Sequence, residues 1–350
     1  TGVPAGLALD REAMDRMLAL RQAGFGRSAR QKLETDKTDV LTGVHRGKTT
    51  GAPLVLAVWN VDDSLPTKPA FHQPRPGHAD LAGGQKYDAT DMRPVLERAS
   101  ARETAGRVAA GAVLVQLLEA VGVELLGHVT AVGSVHAEPP SRRAGLPGLR
   151  KRRDRSPFHT LDKAAEAPME AAVLAARSQG DTLGGLVEVQ ARGVPAGLGS
   201  LEDFGSRLDA RLGAAILSIQ AFKAVEIGDG VAAGTALGSE RHDPVGRPGP
   251  EGPTRTSNHA GGLEGGMTNG EPVIVRGWMK PIATLRQPLR SWDYARGQAS
   301  DAHFERSDVT AVPAAAIVAE AMLAMVLADA LLEQAGGDTL AQVQQRVRRQ

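Results

Sequence analysis

The run Arg75-Pro76-Gly77-His78-Ala79-Asp80, followed by Ser100-Ala101-Arg102-Glu103-Thr104, carries more information than any other part of this chain. Pro76 fixes φ and Gly77 admits conformations closed to other residues, so the hexapeptide reads as a sharp, water-facing bend that sets Arg75 beside His78. Histidine gains and loses a proton near neutrality, and a neighbouring guanidinium binds anions while opposing a second positive charge on the imidazole. An anionic ligand that needs proton handling suits such a pair. A surface turn with a solvated histidine is the plainer alternative, and the hexapeptide alone leaves both open.

Working outward, Ser100 suits the cap of a helix over 102–120, whose body is apolar and which Gly122 ends. Residues 206–222 read likewise, and Pro313 suits the start of a third helix over 313–332, because a proline N–H is not needed in a first turn. Apolar runs at Pro53-Leu54-Val55-Leu56-Ala57-Val58 and Pro272-Val273-Ile274-Val275 read as strands between glycine-rich loops, which predicts a mixed α/β fold. Gly261-Gly262-Leu263-Glu264-Gly265-Gly266 holds too much glycine for a strand interior; it points to backbone brought close to a ligand, with a flexible turn as the alternative. The span 137–160 contains Arg142, Arg143, Arg150, Lys151, Arg152, Arg153 and Arg155. Its Pro and Gly content and lack of interleaved aromatics predict an exposed basic loop rather than a nucleic-acid patch.

Bulk properties exclude several classes. The 41 Lys and Arg nearly balance 40 Asp and Glu for a net charge of +1, so no global field draws nucleic acid or a membrane surface. The sequence has no cysteine, which excludes disulfides and thiolate metal sites and fits a reducing cytosol. Aromatics are 3% of residues, so Ala, Leu and Val must fill the core and base-stacking platforms are not available. The chain opens without a basic region leading into an apolar run, and Glu320 and Asp329 inside 313–332 would be costly at bilayer depth. The expectation is a cytoplasmic protein with a buried helix, and neither a membrane nor a nucleic-acid partner.

Gly43-Val44-His45-Arg46-Gly47-Lys48-Thr49 resembles a phosphate-binding loop, but three residues separate its glycines where that motif needs four, and Pro53 biases Ala52 away from the α region. This argues against a nucleotide kinase. No His-Glu-x-x-His, no carboxylate cluster and no Gly-x-Ser-x-Gly are present, so metal catalysis and serine hydrolysis lack their residues. Arg21, Arg27 and Arg30 lie around the Gly24-Phe25-Gly26 turn, where they form either a solvent-facing cluster or a convergent site for one multiply charged anion. The other histidines, His128, His159 and His259 among them, are scattered and read mostly as surface or structural residues.

The stretch from Arg75 to Gly106, with Leu81-Ala82-Gly83-Gly84-Gln85-Lys86-Tyr87 inside it, resembles the chorismate synthase family. Gly24-Phe25-Gly26-Arg27, Gly47-Lys48-Thr49-Thr50-Gly51-Ala52-Pro53, Gly180-Asp181-Thr182-Leu183-Gly184-Gly185, Ser257-Asn258-His259-Ala260-Gly261-Gly262, Met279-Lys280-Pro281-Ile282-Ala283-Thr284 and Arg306-Ser307-Asp308 come in the family's order. The resemblance covers nearly the whole chain. It implies a single domain over 1–350 with a β-α-β sandwich fold, a homotetramer built as a dimer of dimers, and loss of phosphate from C3 and a proton from C6 of 5-enolpyruvylshikimate 3-phosphate in an anti 1,4-elimination.

The reaction has no net redox change, yet the family requires reduced FMN, which gives an electron transiently and recovers it. The resemblance further implies that His78 acts near N1 of the reduced flavin and that Asp308 assists proton removal through N5. Arg75, Ser100, Ala101, Arg102, Asn258, Lys280, Thr284 and Asp308 match positions lining the flavin and substrate site, and Arg21, Arg27, Arg30, Arg102 and Arg306 match positions that bind the substrate's anionic groups. One departure stands out. The chain opens at Thr1-Gly2-Val3-Pro4-Ala5-Gly6, which matches the segment just after the family's first strand and its Gly-Glu-Ser-His-Gly block, so the histidine that protonates the leaving phosphate has no counterpart among these residues. Two other classes share parts of the pattern. They are an FMN-dependent oxidoreductase, which would consume NADPH stoichiometrically but lacks a Gly-x-Gly-x-x-Gly unit, and a non-catalytic flavin-binding protein.

Overall fold

The computed structural model describes residues 1–27, 36–61, 67–141, 144–249, 253–305 and 307–348. Asp10 caps α1 (Arg11–Gln22) by accepting from the Ala13 N–H. Two short antiparallel pairs come next in the chain, β1 (Asp39–Thr42) with β4 (Val55–Ala57) and β2 (Val44–His45) with β3 (Lys48–Thr49). Arg46 and Gly47 join β2 to β3 with φ of 48° and 76°, the left-handed pair a two-residue hairpin needs. The stretch that resembles a phosphate loop is therefore a hairpin.

After α2 (Asp80–Lys86) and α3 (Arg93–Arg98), the Ser100 hydroxyl accepts from the Arg102 N–H and starts a 3-10 turn, Ala101–Glu103, that runs into α4 (Thr104–Ala120). The helix expected there is present with its cap. Strands β5 (Glu124–Val132), β6 (Val135–His136), β7 (Gly185–Arg192), β8 (Phe222–Ile227) and β11 (Val273–Met279) form one antiparallel sheet in the order β6-β5-β7-β11-β8. Helices α5 (Leu146–Arg155), α6 (Glu166–Ser178) and α7 (Leu208–Leu217) and the one-turn α8 (Gly230–Ala233) and α9 (Gly238–Arg241) connect them. Hairpins β9 (Leu263–Glu264) with β10 (Met267–Thr268) and β12 (Arg290–Asp293) with β13 (Gln298–Asp301) precede α10 (Val312–Ala335) and α11 (Leu340–Val347).

Pro313 stands in the first turn of α10, as expected. This helix is long and apolar enough to cross a bilayer, but it is largely buried against α4, α7, β5 and β7. Two glycines permit that packing. A Cβ on Gly127 would lie 2.3 Å from the Ala316 carbonyl oxygen, and one on Gly111 would lie 2.6 Å from the Ala321 Cα. The helical layer touches both the five-stranded sheet and, through α4, strand β4, so β, α and β elements are layered around an Ala, Leu and Val core. The expected mixed α/β class is what forms.

Three local expectations are corrected. The span 137–160 is not an exposed loop: α5 forms there because Leu146 and Leu149 pack with Leu126 and Leu161, and Arg153 turns inward to Glu320 of α10 at 2.6 Å. Glu320 also accepts from the Gly127 N–H at 2.8 Å, so both charges are paired within the core. The helix read over 206–222 stops at Leu217, because Ala221 takes φ of 68° and Phe222 enters the sheet opposite Met279. The glycine-rich loop holds the β9–β10 hairpin, and its tight approach is to the protein's own backbone: a Cβ on Gly261 would meet the Gly228 nitrogen at 2.3 Å, and one on Gly262 the Pro272 carbonyl oxygen at 2.6 Å.

Candidate active site

Pro76 and Gly77 are the central residues of a turn closed by the His78 N–H donating to the Arg75 carbonyl at 3.1 Å, and Gly77 has φ of 78°. The tip is exposed, but Arg75 is not water-facing as the sequence suggests; it is buried. The reason is Asp80, fully buried at the start of α2. Its carboxylate accepts from the Arg75 Nε at 2.7 Å, the Arg75 Nη2 at 3.0 Å and the Arg75 backbone N–H at 3.0 Å, and lies 2.6 Å from the His78 Nδ1. Burial opposes ionisation of Asp80, but the hydrogen bonds and charges of His78 and Arg75 outweigh it and hold the group far below the usual carboxylate range. Arg75 Nη1 donates to Thr284 Oγ1 at 2.8 Å, and Nη2 lies 3.0 Å from the His78 Nδ1. A half-exposed histidine is thus fixed by a buried carboxylate and a buried guanidinium, the setting of an acid–base group.

Hydrogen bonds tie this turn to the other predicted segments. Lys280 donates from Nζ to the Gly77 carbonyl and from its backbone N–H to the Ala221 carbonyl at 2.9 Å; burial, with Lys223 nearby, lowers its pKa. Gln220 donates to the Glu103 carboxylate, in the turn that holds Ser100, Ala101 and Arg102. The Thr182 hydroxyl donates to the Ile282 carbonyl, the Leu183 N–H to the Val309 carbonyl, and the Val309 N–H to the Gly26 carbonyl. This brings the Arg27 turn against Asp308, whose carboxylate lies 3.0 Å from Arg27 Nη1.

The arginines fall into two settings. Arg21 is buried and donates to Thr104 Oγ1 at 2.9 Å, the Ala101 carbonyl at 3.1 Å and Asp36 at 3.3 Å. Arg102, more exposed, shares Asp36 at 2.5 Å and donates to the Asn60 side chain and the Trp59 carbonyl. Arg27 pairs with Asp308 while its Nε is buried without a partner among the described residues. Arg30 and Arg306 lie outside the described residues.

Asn258 is not brought to this cluster within the chain. Its side chain spans the Pro272 carbonyl and the Gly262 N–H at the start of β11, whereas Lys280 comes just after the end of that strand. Seven strand residues place the two roughly 20 Å or more apart. Asp36, Asp80, Gln220 and Ala221 contact the segments that carry the expected site residues and are not among those residues. Asp80 had a signal, its place five residues after Arg75 and two after His78. Asp36, Gln220 and Ala221 had none, since tertiary contacts alone bring them there. No group of three or more acidic or histidine side chains that could hold a metal is present among the described residues.

A histidine braced by a buried carboxylate and a buried guanidinium, on segments hydrogen-bonded to those that carry Arg27 and Arg102, makes a candidate active site in an α/β protein. Comparison with known proteins is specific. The profile of the family described as Chorismate synthase matches residues 1–332. The chain is 48% identical to the chorismate synthase of Symbiobacterium thermophilum, covering 97% of this chain and 91% of that protein. It is 47% identical to that of Mycobacterium tuberculosis strain H37Rv, covering 99% and 90%. A crystal structure of chorismate synthase superposes with a TM-score of 0.81 at 36% identity, over 99% of this chain and 90% of that one. The chain belongs to the chorismate synthase family, carbon–oxygen lyases acting on phosphates.

Proposed function

We propose that this protein converts 5-enolpyruvylshikimate 3-phosphate to chorismate by anti 1,4-elimination of phosphate at the site built on His78, with reduced FMN as cofactor. The observation that carries this reading is the hydrogen-bonded continuity from Arg75, His78 and Asp80 through Lys280–Thr284 to the Arg27–Asp308 pair, in a chain of this family. Two buried polar atoms without partners among the described residues, Gln220 Oε1 and Arg27 Nε, lie on the segments that line it and suit a polar ligand. Arg75, Ser100, Ala101, Lys280 and Thr284 would hold FMN. When bound, reduced FMN supplies the reversible electron that lets phosphate depart without net redox change.

The protein's own groups do the rest. Arg27 and Arg102, joined by Arg30 and Arg306, bind the substrate's anionic groups. Arg21, whose donors are engaged by Asp36, Thr104 and Ala101, keeps the turn that carries Arg102 in place. His78, oriented by Asp80, would handle a proton beside the flavin. Asp308, which lies 3.0 Å from the Arg27 guanidinium, would assist proton removal from the substrate. On the same reading the protein is a cytoplasmic homotetramer: a reducing compartment keeps flavin reduced, and exposed Val231, Leu237 and Val245 offer apolar surface to another copy. Anaerobic turnover of the enolpyruvyl substrate with catalytic reductant tests the reading. Stoichiometric consumption of reductant would mark an oxidoreductase, and flavin binding without turnover a binding protein.

A further inference from the structure

The basic run singled out in the sequence has no part in the site above, and α5 sorts its charges. Arg153 points inward to Glu320, and Arg150 pairs with Glu119 at 3.0 Å and donates to the Leu125 carbonyl. Arg152 gives one donor to the Leu161 carbonyl. Lys151 and Arg155 are exposed, and neither has an ion-pair partner among the described residues. They open with Arg152 and Lys163 onto a groove of about 440 Å³ whose floor includes the buried Ser156. The one carboxylate on its wall, Glu166, is already paired with Lys163 at 2.6 Å.

Four cations around one groove repel each other, and Glu166 beside Lys163 with Asp162 in the field of Arg152 offsets them only in part. A multiply charged anion does. The groove has the size of a small-molecule site, and guanidinium forks at Arg152 and Arg155 with an ammonium at Lys151 match phosphoryl oxygens. We infer that this groove is a second anion site, separate from the catalytic one, that binds a small multiply phosphorylated molecule of up to nucleotide size. An extended nucleic acid fits less well, because no aromatic side chain lines the groove to stack a base.

Inorganic pyrophosphate titrated calorimetrically into the Arg27→Ala protein at about 150 mM salt reads this groove with the catalytic anion site weakened. One molar equivalent should bind, and Lys151→Gln/Arg155→Gln added to that background should weaken binding at least about 10-fold, the loss expected for two charge-assisted contacts. Circular dichroism and thermal unfolding of both proteins confirm an intact fold, and the Lys151→Gln/Arg155→Gln protein alone should keep its elimination rate. Undiminished pyrophosphate binding by the folded variant overturns the assignment. So does a single-stranded RNA oligomer that binds through the same two residues more tightly than pyrophosphate, ATP or a sugar bisphosphate, because the groove would then be a nucleic-acid surface.

Discussion

Asp80→Asn is the most discriminating change in the proposed site. The fully buried carboxylate receives two guanidinium donors and a backbone N–H from the buried Arg75 and holds the Nδ1 of the partly exposed His78. Hydrogen bonds to charged groups contribute about 1.5–3 kcal/mol each, but the buried charges also lose hydration, so the contacts do not add. Asparagine keeps one acceptor and turns an N–H₂ toward donors it cannot satisfy, which leaves the buried Arg75 uncompensated. The expected loss of folding stability is about 3–5 kcal/mol, as for breaking a buried ion pair from one side. Because the folded-state pKa of Asp80 is depressed, its contribution is fully present above the unfolded value near 3.8 and is lost as pH falls below it. The difference between wild type and Asp80→Asn should therefore be constant from pH 8 to about 5 and shrink on acidification. Chemical denaturation across that range, with turnover measured in parallel, gives both quantities. Equal stability at pH 7, or a gap that widens in acid, would refute the account of the cluster.

His78→Ala should lower turnover by roughly 10²- to 10⁴-fold while leaving the fold intact, since Asp80 keeps its three donors from Arg75; steady-state kinetics with saturating reduced FMN decides it, and normal turnover removes His78 from the proton chemistry. Asp308→Asn should reduce elimination far more than FMN affinity, because an amide cannot accept the proton; stopped-flow flavin absorbance separates the two, and parallel losses would make Asp308 a binding residue. Gly111→Ala should destabilise the fold by about 1–3 kcal/mol despite alanine's better helix propensity, because its Cβ would lie 2.4 Å from the Ala321 Cβ; an unchanged melting temperature would show that α4 and α10 can separate without cost.

What the sequence determined by itself is local. Pro76-Gly77 dictates a turn, Ser100 a cap and Pro313 a helix start, because each acts through its own φ or a hydrogen bond to a residue two or three positions away. The pairing of Arg75 with His78 was legible for the same reason, since three residues separate them. Apolar content marked α4 and α10 without naming their partners. Tertiary structure alone decided where charges end. Arg75 faces inward because Asp80 is buried there, Arg21 and Arg102 converge on Asp36, and α5 forms where composition suggests a loop, because Arg153 finds Glu320 across 167 residues of chain. Long side chains carry their charge several ångströms from the backbone, and a buried charge is tolerated only where a counter-charge meets it, which no local pattern encodes. The strand β11 separates Asn258, bonded at its start, from Lys280 just past its end, and the lack of a counter-charge among the described residues leaves Lys151 and Arg155 facing an open groove.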